Sequence, residues 1–190
     1  MAWGKAGSTT LEATGNNVTV SSLPNSKFGM AVGSLTSGGS SIRLNGVSSS
    51  NSYTVRRGAN NSEGTDVNLT SGYITDTINN PHFNVSFFCN VSGQEKLWFN
   101  HNVERNSSGA GFPPNRVEAV GKYVGTEVIT GFTYFCWAGN SYTSGDNALV
   151  LGSDMTPSAA VSATVQDGAV FHETDTNKSY VLYSGSWSEL

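Results

Sequence analysis

Apolar residues recur at every second position through much of this chain, and a period of two predicts strands rather than helices. The densest case runs from Pro81 to Val103, PHFNVSFFCNVSGQEKLWFNHNV. Phe83, Val85, Phe87, Cys89 and Val91 alternate with His82, Asn84, Ser86 and Asn90. After Ser92-Gly93 the alternation resumes at Leu97, Phe99 and Val103, with Trp98 on the other face. The stretch reads as a hairpin at the centre of a β-fold, its apolar face holding the core. His82 and His101 would lie near each other across it, as ordinary polar-face residues.

Shorter alternations place the other strands. An extended polar lead over residues 1–7 carries Trp3, and strands follow at Thr9–Ala13 and, after the Gly15-Asn16-Asn17 turn, from Val18. Phe28, Met30 and Val32 alternate with Gly29, Ala31 and Gly33, a face small enough for another sheet to approach closely. Ile42 and Leu44 form a strand closed by Asn45-Gly46, a hairpin-turn dipeptide, with Tyr53, Val55 and Arg57 as the expected partner strand. Residues 58–66 read as a polar loop, and Val67–Ile78 as one or two weak strands. The longest irregular stretch is 104–116, where Pro113-Pro114 excludes a sheet interior. Phe112 within it is either a plug over the core or a surface contact. Val117–Val124, Glu127–Trp137 and Ala148–Gly152 complete the set; the second is apolar on both faces and belongs in the middle of a sheet.

No helix is signalled. The fold class is all-β, an antiparallel β-sandwich of jelly-roll-like kind. Residues 1–152 form the sandwich body with its extended N-terminal lead, and 153–190 a linker arm plus a small C-terminal β-hairpin. In that last segment Val170-Phe171 and Tyr180–Tyr183 flank a turn at Asp175–Lys178, with Trp187 beyond. A hairpin of that size is marginal alone, so it must pack on its own body or on another chain.

Composition narrows the partners. Only 13% of residues are charged, about half the usual share, so solubility rests on Ser, Thr, Asn and 22 glycines. Aromatic residues at 11% argue against disorder. The net charge of −4 offers no electrostatic footprint for nucleic acid. Neither an export signal nor a membrane-spanning run is visible, so membrane insertion is not expected. Cys89 and Cys136 lie in apolar strand patterns and read as buried free thiols, although a disulfide between neighbouring strands is geometrically open. No Cys/His spacing suits zinc, and no cofactor is implied. The Asn-x-Ser/Thr sequons at Asn84 and Asn90 fall inside the core hairpin and are not read as glycosylation sites.

Catalytic chemistry finds little support. The three histidines, His82, His101 and His172, neighbour no nucleophile in a recognisable motif. Glu95, Glu104, Glu118 and Glu127 fall near strand ends, where solvated charges are expected. Asp146, Asn147 and Asp154 lack calcium-loop spacing. Sugar binding is the competing expectation, with Trp98 and Tyr142 as rings able to stack on a host-surface glycan if exposed.

Three blocks resemble small virion proteins of tailed phages. WGKAGSTTLEATGNNVTVSSLP is similar to their Trp-x-Lys-x-Gly…Thr-Leu opening. QEKLWFNHNVERNSSGAGFPPNRVEAVGKYV is similar to their Glu-Lys-x-Leu strand, Gly/Ala/Pro loop and Asn-Arg-x-Glu…Gly-Lys-aromatic strand. GAVFHETDTNKSYVLYSGSWSEL resembles a hairpin module common in phage fibre and decoration proteins. The resemblance implies a non-enzymatic structural protein of the virion, a capsid decoration (cement) protein or tail appendage component. Its partners would be other copies of itself, as a homotrimer, and a major capsid or tail protein. Subunit-contact candidates are then Trp3, Phe112, Arg116, Phe171, Tyr180 and Trp187.

Overall fold

The computed structural model describes residues 3–36, 39–60, 62–75, 80–137, 140–153, 168–173, 177–184 and 186–190. The chain divides into two units, Met1–Thr156 and Pro157–Leu190. Among the described residues every regular element is a strand.

In the first unit the strands are β1 (Trp3–Thr10), β2 (Asn17–Val20), β3 (Phe28–Leu35), β4 (Gly39–Leu44), β5 (Tyr53–Ala59) and β6 (Ser62–Leu69). They continue with β7 (Gly72–Tyr73), β8 (His82–Cys89), β9 (Lys96–Glu104), β10 (Asn115–Tyr123), β11 (Phe132–Trp137) and β12 (Asn147–Ser153). An eight-stranded sheet in the order β1-β12-β3-β8-β9-β10-β5-β6 packs against a four-stranded sheet, β2-β11-β4-β7. All pairings are antiparallel, so the body is a β-sandwich, and its repeated crossings between sheets are compatible with a jelly-roll-like wrap.

Local chemistry explains several departures from the pattern reading. Asn45 and Gly46 both take positive φ, as a tight turn requires, yet they do not close a hairpin. β4 pairs with β11 and β7, whereas β5 pairs with β10 and β6, so the turn hands the chain from one sheet to the other. Asn45 anchors that crossing: its Oδ1 accepts from the Thr130 and Gly131 amides at 2.7 and 3.1 Å. Much of the polar stretch 58–66 is strand rather than loop, with Gly58 and Ala59 of β5 pairing with Glu63 and Ser62 of β6, and residues 3–8 are not a free lead but an edge strand on β12. The apolar run at Glu127–Trp137 becomes a strand only from Phe132. Ahead of it, Asn90 holds the Ile129 backbone with both amide atoms, at 2.6 and 3.3 Å.

The core lies between the sheets and is built on rings: Tyr53 stacks on Tyr123 at 5.0 Å, and Phe132 meets Tyr134 edge-on at 4.9 Å. Large side chains are seated where a neighbouring strand has none. A Cβ placed on Gly29 would lie 2.1 Å from the Phe88 ring, one on Gly33 2.5 Å from Tyr134, and one on Gly121 2.1 Å from Trp98. The small-residue face of β3 thus receives the close approach that its sequence predicts.

The second unit is a three-stranded antiparallel sheet, β13 (Val170–Glu173), β14 (Lys178–Tyr183) and β15 (Ser186–Glu189), one strand more than the expected hairpin. The linker over 154–167 lies outside the described residues.

Gly121→Val should destabilise the body by about 3 kcal/mol, since its side chain would overpack against the Trp98 indole. Gly58→Ala, with no atom within 4 Å of the new Cβ, should stay within about 0.5 kcal/mol of wild type. Urea unfolding of both variants checks the contrast, and equal losses would refute it.

Candidate functional site: an apolar groove on a polar-lined sheet

The central hairpin is present, but its faces are the reverse of those expected. In β8 the residues turned inward are His82, Asn84, Ser86 and Phe88, while Phe83, Val85, Phe87 and Cys89 turn out. In β9 the inward set is Lys96, Trp98, Asn100, Asn102 and Glu104, and the outward set Leu97, Phe99, His101 and Val103. Asn84 is fully buried, whereas Phe83, Leu97 and Phe99 stay 49%, 62% and 51% exposed. His82 and His101 accordingly lie on opposite faces of the sheet, not side by side.

The outer face forms a continuous apolar band because cross-strand partners share a face. One row passes through Leu151, Met30, Phe87, Phe99 and Val120 on five adjacent strands. Phe87 and Phe99 stack at 4.8 Å, and Trp3 meets Phe87 edge-on at 6.3 Å. β1 and β8 are three ladder spacings apart, about 14 Å in a flat sheet, so that contact requires the sheet to curl. Curling leaves a concavity of about 910 Å³ whose lining reaches from Trp3 and Phe28 through Leu97, Phe99 and Val120 to Val67. Its polar lining lies toward β5 and β6, where Arg56 pairs with Val120 and with Thr65, and at Lys122, whose Nζ is 2.9 Å from Glu95.

The inner face is polar around three centres. Lys96 is fully buried, and its ammonium donates to the carbonyls of Val91, Gln94 and Thr126 at 2.5, 2.7 and 3.1 Å, tying two loops together. Asp146 accepts from the Thr36 and Thr143 amides, both at 2.9 Å, so it organises a turn. His82 donates from Nδ1 to the Asn80 carbonyl at 2.9 Å and accepts at Nε2 from Ser40 at 2.7 Å, and Tyr142 donates to the Ser40 hydroxyl at 2.7 Å. This places a serine on a histidine, the pairing used for nucleophilic catalysis. Ser40, His82 and Tyr142 are all buried, however, so in this structure no substrate reaches the hydroxyl.

Burial holds the His82 imidazole below its ordinary pKa, against the smaller upward pulls of the Asn80 carbonyl and Asp146. Burial also pushes the Tyr134 and Tyr142 phenols and the Cys136 thiol upward. Cys89 and Cys136 are free thiols, but only Cys136 is buried; Cys89 is half-buried on the outer face. Among the described residues no three His, Cys, Asp or Glu side chains gather as metal ligands.

Of the residues singled out from sequence, Trp3 joins the groove, and Phe112 stands 56% exposed on the β9–β10 loop rather than plugging the core. Arg116 is exposed on β10, 3.9 Å from Glu118. In the second unit Phe171 stacks on Tyr180 and meets Trp187 edge-on, at 6.2 and 6.1 Å. The proposed sugar-stacking rings fail. Trp98 is 3% exposed and Tyr142 fully buried, because both fill the space between the sheets. Glu104 is not a solvated strand-end charge either; it is buried and accepts from Asn102 at 2.8 Å. Leu97, Phe99 and Val120 were missed as site residues. Val120 carried the usable signal, since it alternates in phase with Arg116, Glu118 and Lys122, an outward series.

Comparison with protein-family models, curated proteins and solved structures found no significant match.

Two expectations follow from the polar interior. The neutral His82 ring is the native form, whereas the unfolded chain protonates it near pH 6.5. Its contribution is therefore complete above that pH and is lost as pH falls below it, at up to about 1.4 kcal/mol per unit, until the folded-state pKa is reached. His82→Gln should flatten the stability profile between pH 6.5 and 5; parallel profiles would refute this. Asn84 finds no partner for either amide atom among the described residues. Asn84→Leu should therefore raise stability by about 1 kcal/mol, and a loss on denaturant unfolding would contradict it.

Proposed function

We propose that this chain is a non-enzymatic structural subunit of a viral particle, self-associating and displayed on the surface of a tailed-phage capsid or tail. The observation that carries the reading is the outward apolar band on the large sheet. Its exposed side chains amount to on the order of 700 Å², taking about 150–250 Å² for a residue of this size. A monomer's largest apolar patch is about 300–600 Å², and a stable protein interface takes about 800 Å² from each partner. Among the described residues this band is of a size suited to a protein partner.

Three further features support it. Low charge with a Ser/Thr/Asn-rich surface suits a protein packed among neighbours at high density. The separate three-stranded unit presents Phe171, Tyr180 and Trp187 as an aromatic cluster on little scaffold, the kind of anchor that fixes subunits to a larger assembly. The three blocks that resemble phage virion proteins include both the opening strand with Trp3 and that cluster.

Mass spectrometry of purified particles from the encoding virus should find the chain in many copies. Deletion of residues 157–190 should leave the body folded but reduce its recovery in particles at least tenfold. Particles that lack the wild-type chain would overturn the reading.

A further inference from the structure

The groove's shape selects its occupant. A flat apolar face can pair with its own copy across a two-fold axis, but a concave one cannot, because two concavities face to face enclose a void. The contact must therefore be heterologous, with a convex apolar element from elsewhere on the molecule entering the groove. Among the described residues of the body, the β9–β10 loop supplies one. Phe112 stands exposed at its tip, braced by a turn in which its amide donates to the Gly109 carbonyl at 3.4 Å, and followed by Pro113-Pro114. From Asn106 to Asn115 the loop carries no charge. An uncharged apolar tip is chemically complementary to the apolar part of the groove, where Trp3, Phe28, Phe87, Leu97, Phe99 and Val120 lie, with Arg56 and Lys122 to one side, and the flanking prolines lower the entropy lost on docking.

One chain cannot satisfy both halves. The loop leaves β9 and enters β10 at the end marked by the Glu104–Asn115 pair, whereas the groove lies at Phe99–Val120 and Leu97–Lys122. Those rows are separated by roughly 17 Å along the strands, and Phe112 does not line the groove.

We infer that copies of this chain join head to tail, the Phe112 loop of one seated in the groove of the next. Each copy then offers one tip and one groove, the arrangement that closes into a ring when the rotation between copies permits. This rests on the reading of the chain as a self-associating subunit and specifies the contact by which it does so.

The test uses the full chain with one half of the contact removed at a time. Leu97→Lys spoils the groove and Phe112→Ser removes the tip; both positions are more than half exposed, so the fold should persist. Val120→Lys is a second groove variant should the first disturb folding, which circular dichroism reports. By light scattering after gel filtration, wild type should be oligomeric and each variant monomeric, with self-affinity reduced at least tenfold. An equimolar mixture of Leu97→Lys and Phe112→Ser should restore a 1:1 complex that grows no further, because it holds one intact tip and one intact groove.

A monomeric wild type would overturn both this contact and the self-association behind it. An oligomer indifferent to these substitutions would overturn the contact alone. Dissociation by Leu97→Lys but not by Phe112→Ser would remove the loop as occupant, as would a mixture that stays monomeric. A monomer that binds phosphatidylcholine vesicles through Leu97 would reassign the groove to a lipid surface.

Discussion

The seating of two rings on glycine-bearing strands decides the arrangement of the large sheet. Phe88 and Trp98 are cross-strand partners, and each fills the space left by a missing side chain, Phe88 over Gly29 and Trp98 over Gly121 and Gly72. Both rings must therefore point between the sheets. Because a strand alternates strictly, this fixes the direction of every other residue on β8 and β9. Asn84, Asn100, Asn102 and Glu104 are carried into the interior with them, and Phe83, Phe87, Leu97 and Phe99 are carried out. The polar interior and the apolar exterior are two results of one packing choice.

That choice has an energetic cost, which explains the rest of the interior. Buried polar groups destabilise unless they are hydrogen-bonded, and most of these are: Lys96 on three carbonyls, Asn90 on the Ile129 backbone, and His82 with Ser40 and Tyr142. Several of these bonds hold segments without strand pairing, so the polar groups position loops that apolar contacts would leave loose. The exceptions gather on the hairpin, where no loop needs holding: Asn84 has neither amide atom partnered among the described residues, and the Oδ1 atoms of Asn100 and Asn102 and the Trp98 Nε1 lack partners as well.

The sequence made the strands legible and left their facing hidden. Alternation located β8, β9, β10 and β12 closely, because period two is a property of local spacing. It could not say which face was inner, since a hairpin with aromatic residues on one side and polar residues plus a tryptophan on the other admits both answers. The deciding contacts, from Gly29 to Phe88 and from Gly121 to Trp98, join residues remote in sequence. Pairing partners were hidden for the same reason: Asn45-Gly46 has hairpin chemistry but feeds a sheet crossing, and the turn alone does not reveal it. Of the candidate site, Trp3 was recognised as an exposed aromatic and Phe112 was left open between core plug and surface contact, whereas the groove was not recognised. It comes into being only when Leu97, Phe99, Val120 and Val67 are brought together from three strands.

The dependence on distant glycines also has a consequence in time. While the chain is being synthesised, β8 and β9 emerge with Gly29 already present but Gly121 still to come. Their aromatic side is the more hydrophobic one, so the nascent hairpin is drawn to bury the face that the finished molecule displays. Commitment to the native facing waits for β10, a long-range pairing of the kind that slows folding and prolongs the exposure of sticky intermediates. A neighbour arriving at the outer face would shelter it during that interval, so assembly and correct folding would favour one another on the ribosome's timescale.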